Sequence, residues 1–537
     1  SEALRLAAAE GPNSTRRITH QAALGVMALV FVLVSLQDLT VLPIVGEDEP
    51  WAASASYKLA QEGVFGSDLF AGHHNAEKRI YFWPPLYYLG VAASFVLFGV
   101  GVVQMRLPAV ASGLAILLLT YVLGRQIGGA RLGLLAAALR LVMRIASGWN
   151  DTTGIPLVDL ARVSRYDILV PVFGLLALWT FNRAEDTRRT SQYVATGVLI
   201  GLAALSHLYG AFVLPALIVI QVLRRGFAVL HERGTWAMSA GALLPWIPVL
   251  VYVAIGWEDF VAQQQMYADR YRLLDPRFYL SNLRMEIYRY RLLAPRDLSG
   301  LWFVRQFGTW VGVFGVPISL GTILASRQRN EPAFALAVAL IVQGLLNALL
   351  LRSKMYNYII ALWPLAVILL AWLALRSWDA ARWRGVRAAL AFALFLVAVE
   401  GVLRIAHRHD VARRTTPYDD YTRRVAAHIP SDSRVLGLQH YWLGLRQFEY
   451  RSWLLPIFMV RDPATSLSLD DALERVRPKV VLVDRHMGGF FEGAADPSNP
   501  YHADYVGLQR FLARHEARLD AVVRDSTYGD MRVYRVR

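Results

Sequence analysis

A few acidic positions and some scarce cations are the residues here whose types and spacing could do chemistry. Glu47, Asp48 and Glu49 stand in a row in "PIVGEDEPW", directly after the first apolar segment. Asp167 stands in "LARVSRYDILV", and Lys354 and Tyr358 in "LRSKMYNYIIALWPLA", each at the start of another apolar segment. A carboxylate can deprotonate a hydroxyl or hold a cation that does so. Cations and a phenol can stabilise a phosphate as it leaves. Arg270 and Arg272, in a later polar stretch, would add to such a phosphate clamp. The lysines sharpen the pattern, because the chain has only four: Lys58, Lys78, Lys354 and Lys479.

Each of these residues also has a plainer reading. An acidic cluster suits the first turn of a helix, where the dipole favours negative charge. Asp167 could cap the helix that follows it. Lys354 and Tyr358 could be interface anchors at the end of a span. His73 and His74 are adjacent, and adjacent side chains point apart in most backbones, which argues against a shared metal.

The elements that must position these residues are membrane helices. Of 537 residues, 55% are hydrophobic and 18% charged, and the mean hydropathy is +0.35. Repeated runs of about 18 or more apolar residues mark a polytopic α-helical membrane protein. Net charge is +15, but the arginines fall mainly in short loops between apolar runs. The positive-inside rule accounts for them, and no basic–aromatic module of a nucleic-acid binder is visible. The absence of cysteine excludes disulfides and thiolate chemistry.

Arg16 and Arg17 precede the first span, roughly 18–42, which places the N-terminus in the cytoplasm and "GEDEP" outside. That segment lacks a clear cleavage site and reads as a retained span. Arg125 with Arg131, Arg183 with Arg188 and Arg189, Arg224 with Arg225, and Arg327 with Arg329 then mark the inner face. Spans between these clusters bring the total to about eleven, with "PPLYYLGVAASFVLFGVGVV" read as a juxtamembrane helix. The expected domains are a transmembrane unit, 1–406, with external loops 43–104 and 257–300, and an extracytoplasmic α/β domain, 407–537. In the latter, "RVLGL" and "KVVLVD" read as strands and "LDDALERV" and "GLQRFLARHEARL" as helices. On this topology Asp48, Glu49, Asp167, Lys354 and Tyr358 all lie at one membrane boundary. Lys58, Lys78 and Lys354 fall there too, against the direction of the positive-inside rule, which asks for an anionic ligand.

In this order and sidedness, the motifs resemble those of the GT-C integral-membrane glycosyltransferases that use polyprenyl-phosphate sugars, the lipid A aminoarabinose transferases and protein O-mannosyltransferases among them. Asp48-Glu49 stands where that family has its acidic motif. "PPLYYLG", "RLPAVASG" and "SRYD" follow as further landmarks, and "KMYNY" is similar to its Lys-x-x-x-Tyr motif. The resemblance implies an inverting transfer on the extracytoplasmic face of a bacterial-type inner membrane. Its partners would be the lipid bilayer, a polyprenyl-phosphate sugar donor, and a lipid, glycan or protein acceptor. Asp48 would be the catalytic carboxylate, Glu49 and Asp167 would position the acceptor or a metal, and Lys354, Tyr358 and loop arginines would hold the donor phosphate. A divalent metal ion stays open as cofactor, with Asp48, Asp167, His73 and His74 as candidate ligands.

The sequence departs from the aminoarabinose enzymes at two places. Trp83-Pro84 stands where they have a lysine before proline, so Lys78 or Arg79 is the substitute. "GLAALSH" puts His207 where many members have lysine. A transporter or flippase of a lipid-linked glycan is the alternative from another class. It would place ionisable groups at mid-membrane within paired repeats, and no such repeat is evident. An oligosaccharyltransferase would carry a "WWDYG"-like element, which this sequence lacks.

Overall fold

The computed structural model describes residues 14–46, 48–82, 84–145, 152–265, 272–290, 306–326, 328–462, 465 and 467–537. Glu47 and Arg270 lie outside the described residues. Among the described residues, nine helices are long and apolar enough to cross a membrane. The protein is a multi-pass α-helical membrane protein with a small C-terminal sheet domain.

One of the nine is two helical arms in one. Val102–Val142 runs for 41 residues and is broken at Gly128 and Gly129. Gly129 adopts φ +80°, a conformation that favours glycine, and the chain reverses there. The two arms pack closely, since a Cβ on Gly124 would meet Gly133 Cα at 2.9 Å. Small residues allow such approach inside a membrane. The 17-residue Thr190–Ser206 helix is a shorter apolar helix beside the nine. Leu86–Phe98 has only 13 residues. It spans roughly 20 Å against a hydrocarbon core of about 30 Å, so it is too short to cross alone.

The first long loop folds back on the helices through one buried ion pair. The Asp48–Glu62 helix opens with two carboxylates in its first turn. Successive helical residues point about 100° apart, so only one of them can face inward. Glu49 does, and it is fully buried. Arg106, the arginine of "RLPAVASG", meets it with two bonds: Nε to Oε1 at 2.8 Å and Nη2 to Oε2 at 2.7 Å. Glu49 also accepts from the Gly46 amide at 3.0 Å, in the manner of a capping box, and from the Ser164 amide at 2.8 Å. Arg106 donates its remaining nitrogen, Nη1, to the Leu39 carbonyl at 2.7 Å. Nearby, Arg162 closes the end of the first span, donating to the carbonyls of Val34, Ser35, Gln37 and Leu42. These carbonyls have no partner further along a helix that is ending.

The last long helix, Arg384–Arg413, runs past position 407 before the C-terminal domain begins. That domain has five strands: β1 (Arg434–Gly437), β2 (Glu449–Ser452), β3 (Val480–Val483), β4 (Arg518–Val523) and β5 (Met531–Arg535). Their order is β2-β1-β3-β5-β4. β1 pairs parallel with β2 and β3, with Val435 opposite Tyr450 and Val480. β5 runs antiparallel to β3 and β4. All four residues of β3 are buried, as in a strand covered on both faces. Aromatic contacts seat the domain on the first long loop. Phe458 stacks on Phe70 at 5.7 Å and meets Trp51 edge-on at 6.0 Å, while Trp442 meets Tyr57 at 5.8 Å.

Because Glu49 and Arg106 are both buried, removing either strands the other. Glu49→Ala should lower stability by about 3–5 kcal/mol, read as a fall in thermal unfolding temperature in lipid. An unchanged unfolding temperature would show that the pair does not hold the loop.

Candidate active site

Asp48 and Asp167 meet at a shared arginine. "SRYD" leads through a 3-10 turn, Tyr166–Ile168, into the helix Leu169–Thr187. The Ser164 amide is held by Glu49, and the Tyr87 hydroxyl of "PPLYYLG" donates to Ser164 Oγ at 3.1 Å. Arg165 follows and forks. Its Nε and Nη2 lie 2.8 Å from Asp167 Oδ2, and Nη1 donates to Asp48 Oδ2. Burial alone would disfavour the guanidinium. Asp167 and Asp48 outweigh that and hold its pKa above the ordinary arginine value.

The three carboxylates differ in access. The Asp48 side chain is 38% exposed, that of Asp167 3% and that of Glu49 0%. Asp48 alone of the three is open to solvent. Glu49 spends its oxygens on Arg106, Gly46 and Ser164, so the expectation that it positions an acceptor or a metal gives way to a role in holding the loop. The Arg165 guanidinium bridges Asp48 and Asp167 through one oxygen of each, Oδ2.

Behind Asp167 stands a frame of rings. His207 interrupts the Thr190–Ser206 helix with extended backbone and caps the next turn, its Nδ1 accepting from the Tyr209 amide at 3.3 Å. A neutral ring bonded this way carries its proton on Nε2. Nε2 faces Asp167 Oδ1 across 3.9 Å, and among the described residues that buried oxygen accepts no hydrogen bond. Tyr166 stacks on His207 at 5.4 Å, and Tyr358 meets His207 at 5.3 Å and Tyr209 at 5.2 Å. Thus Asp48, Asp167 and Tyr358, expected from sequence to converge, form one constellation with His207, Arg165, Tyr166 and Tyr209.

The other expected cations are engaged elsewhere. Lys354 Nζ lies 2.7 Å from Glu286 Oε2 and donates to the Ala348 carbonyl at 2.8 Å. Glu286 belongs to the Pro276–Tyr290 helix of the second long loop and also pairs with Arg289 at 2.6 Å. Burial lowers the Lys354 pKa although Glu286 opposes it. Glu286 is also desolvated, yet its two cations keep it below the usual carboxylate range. Lys58 pairs within the first loop with Asp68 and Glu62. Lys78 reaches Asn75 at 3.4 Å, and Arg79 pairs with Asp259 at 3.3 Å. No described contact joins Lys78 or Arg79 to Asp48 or Asp167. Arg272 is exposed. His73 and His74 do meet a carboxylate, but it is Asp462 of the C-terminal domain. Burial pulls the His73 pKa down to about 4, with His74 adding to the effect and Asp462 opposing it.

Sequence reasoning passed over Arg165, Arg106, Glu286 and Asp462. The signal for Arg106 was an ionisable residue inside an apolar run, which seldom lacks a buried partner. Arg165 was visible two residues before Asp167.

In overall arrangement the chain is similar to ArnT of Cupriavidus metallidurans, solved bound to undecaprenyl phosphate. The TM-score is 0.60 at 16% identity, covering 97% of this chain and 98% of that one. The chain has the GT-C glycosyltransferase fold. It is also similar to the oligosaccharyltransferase AglB of Archaeoglobus fulgidus, solved with an inhibitory peptide and a dolichol-phosphate. There the TM-score is 0.54 at 14% identity, over 96% of this chain and 74% of that one. The sequence pattern of the dolichyl-phosphate-mannose-protein mannosyltransferase family matches residues 83–252. That stretch contains Arg106, Arg165, Asp167 and His207 and stops short of Lys354. No curated protein sequence matches the chain.

Lys354 is expected from sequence to hold a donor phosphate, and such a phosphate would compete with Glu286 for the same ammonium. Glu286→Gln should therefore tighten binding of a polyprenyl phosphate, measured by titration in nanodiscs, and Lys354→Ala should weaken it. Equal affinity in both variants and the wild type would remove Lys354 from the phosphate site.

Proposed function

We propose that the protein transfers a sugar from a polyprenyl-phosphate donor to an acceptor, with inversion, at the extracytoplasmic face of a bacterial-type inner membrane. The observation that carries this reading is the arginine fork, which holds a reachable carboxylate, Asp48, in register with a buried one, Asp167. The GT-C fold supports it, as does the placement of Tyr358 and His207 beside the fork.

In the proposed reaction Asp48 accepts the proton of the acceptor nucleophile. The freed oxygen or nitrogen attacks the anomeric carbon from the side opposite the phosphate. The bond from that carbon to the phosphate oxygen breaks, and the polyprenyl phosphate leaves with the electron pair. A single displacement inverts the anomeric centre. Arg165 keeps Asp48 oriented, and Asp167 fixes the other end of Arg165. Lys354, released from Glu286, would meet the charge developing on the phosphate with Tyr358 beside it.

The proposed sidedness follows from the distribution of charge. The Leu169–Thr187 helix starts beside Asp167 and ends at Arg188, 19 residues and about 28 Å away. Arg188 and Arg225 pair with Glu185 at that end, and Arg224 Nε reaches the Arg329 carbonyl at 2.9 Å. These arginines gather on one side as the positive-inside rule expects of a cytoplasmic face. The first long loop and the C-terminal domain would then be extracytoplasmic.

Asp48→Asn keeps the side-chain shape and removes the base. With a panel of polyprenyl-phosphate sugars in lipid, it should cut transfer by about 10²–10⁴-fold while donor binding persists. Transfer at the wild-type rate by the folded variant would overturn the assignment. Movement of intact donor across the bilayer, without sugar transfer, would favour a flippase.

A further inference from the structure

Outside the constellation around Arg165 lies a second cluster of ligating side chains. His73, His74 and Asp462 each offer one ligand atom, and these atoms all lie within 4.8 Å of one another. Adjacent histidines rarely converge, and the backbone explains why these do. His74 and Asn75 both adopt left-handed conformations, at φ 45° and 54°. The reversal brings the two imidazoles side by side, with ring centroids 4.3 Å apart. Left-handed backbone at two consecutive non-glycine residues is costly and persists only where surroundings impose it. Here the Ala76 amide donates to the His73 carbonyl at 3.0 Å, and the Lys78 amide to that of Asn75 at 2.8 Å. From the second long loop, Gln263 Nε2 donates to the His74 carbonyl at 3.0 Å.

The third ligand comes from a different domain. Asp462 ends the Leu454–Arg461 helix, whose Phe458 stacks on Phe70. Asp462 Oδ2 lies 2.7 Å from His74 Nε2. In a tetrahedral zinc site with bonds of about 2.0–2.1 Å, ligand atoms stand roughly 3.3 Å apart. To reach that geometry the 2.7 Å pair would open slightly and any pair near the 4.8 Å limit would close. Two imidazoles and one carboxylate form a donor set that suits Zn2+ over Mg2+, which prefers oxygen ligands. The His74 side chain is 22% exposed, leaving a side for water or a fourth ligand, while Asp462 at 3% is enclosed.

We infer that His73, His74 and Asp462 bind a divalent transition cation, Zn2+ by their donor set, which fastens the first long loop to the C-terminal domain. The cation would act away from the Arg165 fork, as a structural clamp rather than a participant in transfer. Its position ties together three parts remote in sequence: the loop that follows Asp48, the helix Trp257–Gln265 through Gln263, and the C-terminal domain.

The test uses the full chain in lipid, purified through a tag without histidine. Metal content is measured by mass spectrometry, and thermal unfolding is then followed after chelation and after adding back Zn2+ or Mg2+. About one zinc per chain is expected, with an unfolding temperature that falls on chelation and returns with Zn2+ but not Mg2+. His74→Gln and Asp462→Asn should each abolish the zinc response. A wild-type protein that neither retains zinc nor responds to it overturns the proposal, even if both variants fail to fold. Folded variants that keep the full zinc response overturn the choice of ligands. Sugar transfer is not the readout, so failure here leaves the proposed function standing.

Discussion

The buried pair of Glu49 and Arg106 is the interaction on which the rest of the site depends. Taking two charges out of water is expensive and is tolerated only when nearly every lone pair and proton finds a partner. Here that requirement draws in Gly46 from the loop, Leu39 from the end of the first span and Ser164 from the segment before Asp167. Satisfying one ion pair therefore fixes three pieces of chain against each other. Asp48 and Arg165 each sit one residue from a member of that network, and their alignment follows from it.

The charge pattern above this base has two halves. One is the Arg165 fork, in which a single cation serves two carboxylates and leaves the more exposed one reachable. The other is its mirror image, a single carboxylate, Glu286, serving Lys354 and Arg289. Tyr358 links the halves, being four residues from Lys354 in sequence and in ring contact with His207 beside Asp167.

Much of this was legible in the sequence, and the exceptions have physical causes. Apolar period and arginine placement were enough for the helices, because in a membrane both are imposed by the solvent. The stretch 84–103 is long enough in sequence to span, and its paired prolines and aromatics carried the juxtamembrane reading; the helix within it, Leu86–Phe98, has 13 residues. Asp48, Asp167, Tyr358 and His207 stood out because polar groups at span ends are few. Arg165 and Arg106 did not stand out, since arginine is abundant here and was read as topological charge. Glu286 reaches Lys354, and Asp462 reaches His74, only through tertiary folding, at separations no local pattern encodes. The convergence of His73 and His74 depends on left-handed backbone that residue type permits without announcing.

Arg165 is where these threads meet, since it turns two separate acids into one unit. Lysine at that position keeps the charge but cannot bridge two carboxylates with a planar fork. The deciding measurement is the steady-state kinetics of Arg165→Lys in lipid, with folding checked by thermal unfolding. If the fork positions Asp48, kcat should fall by about 10²-fold while KM for the donor changes little. A folded Arg165→Lys enzyme with wild-type kcat would contradict it.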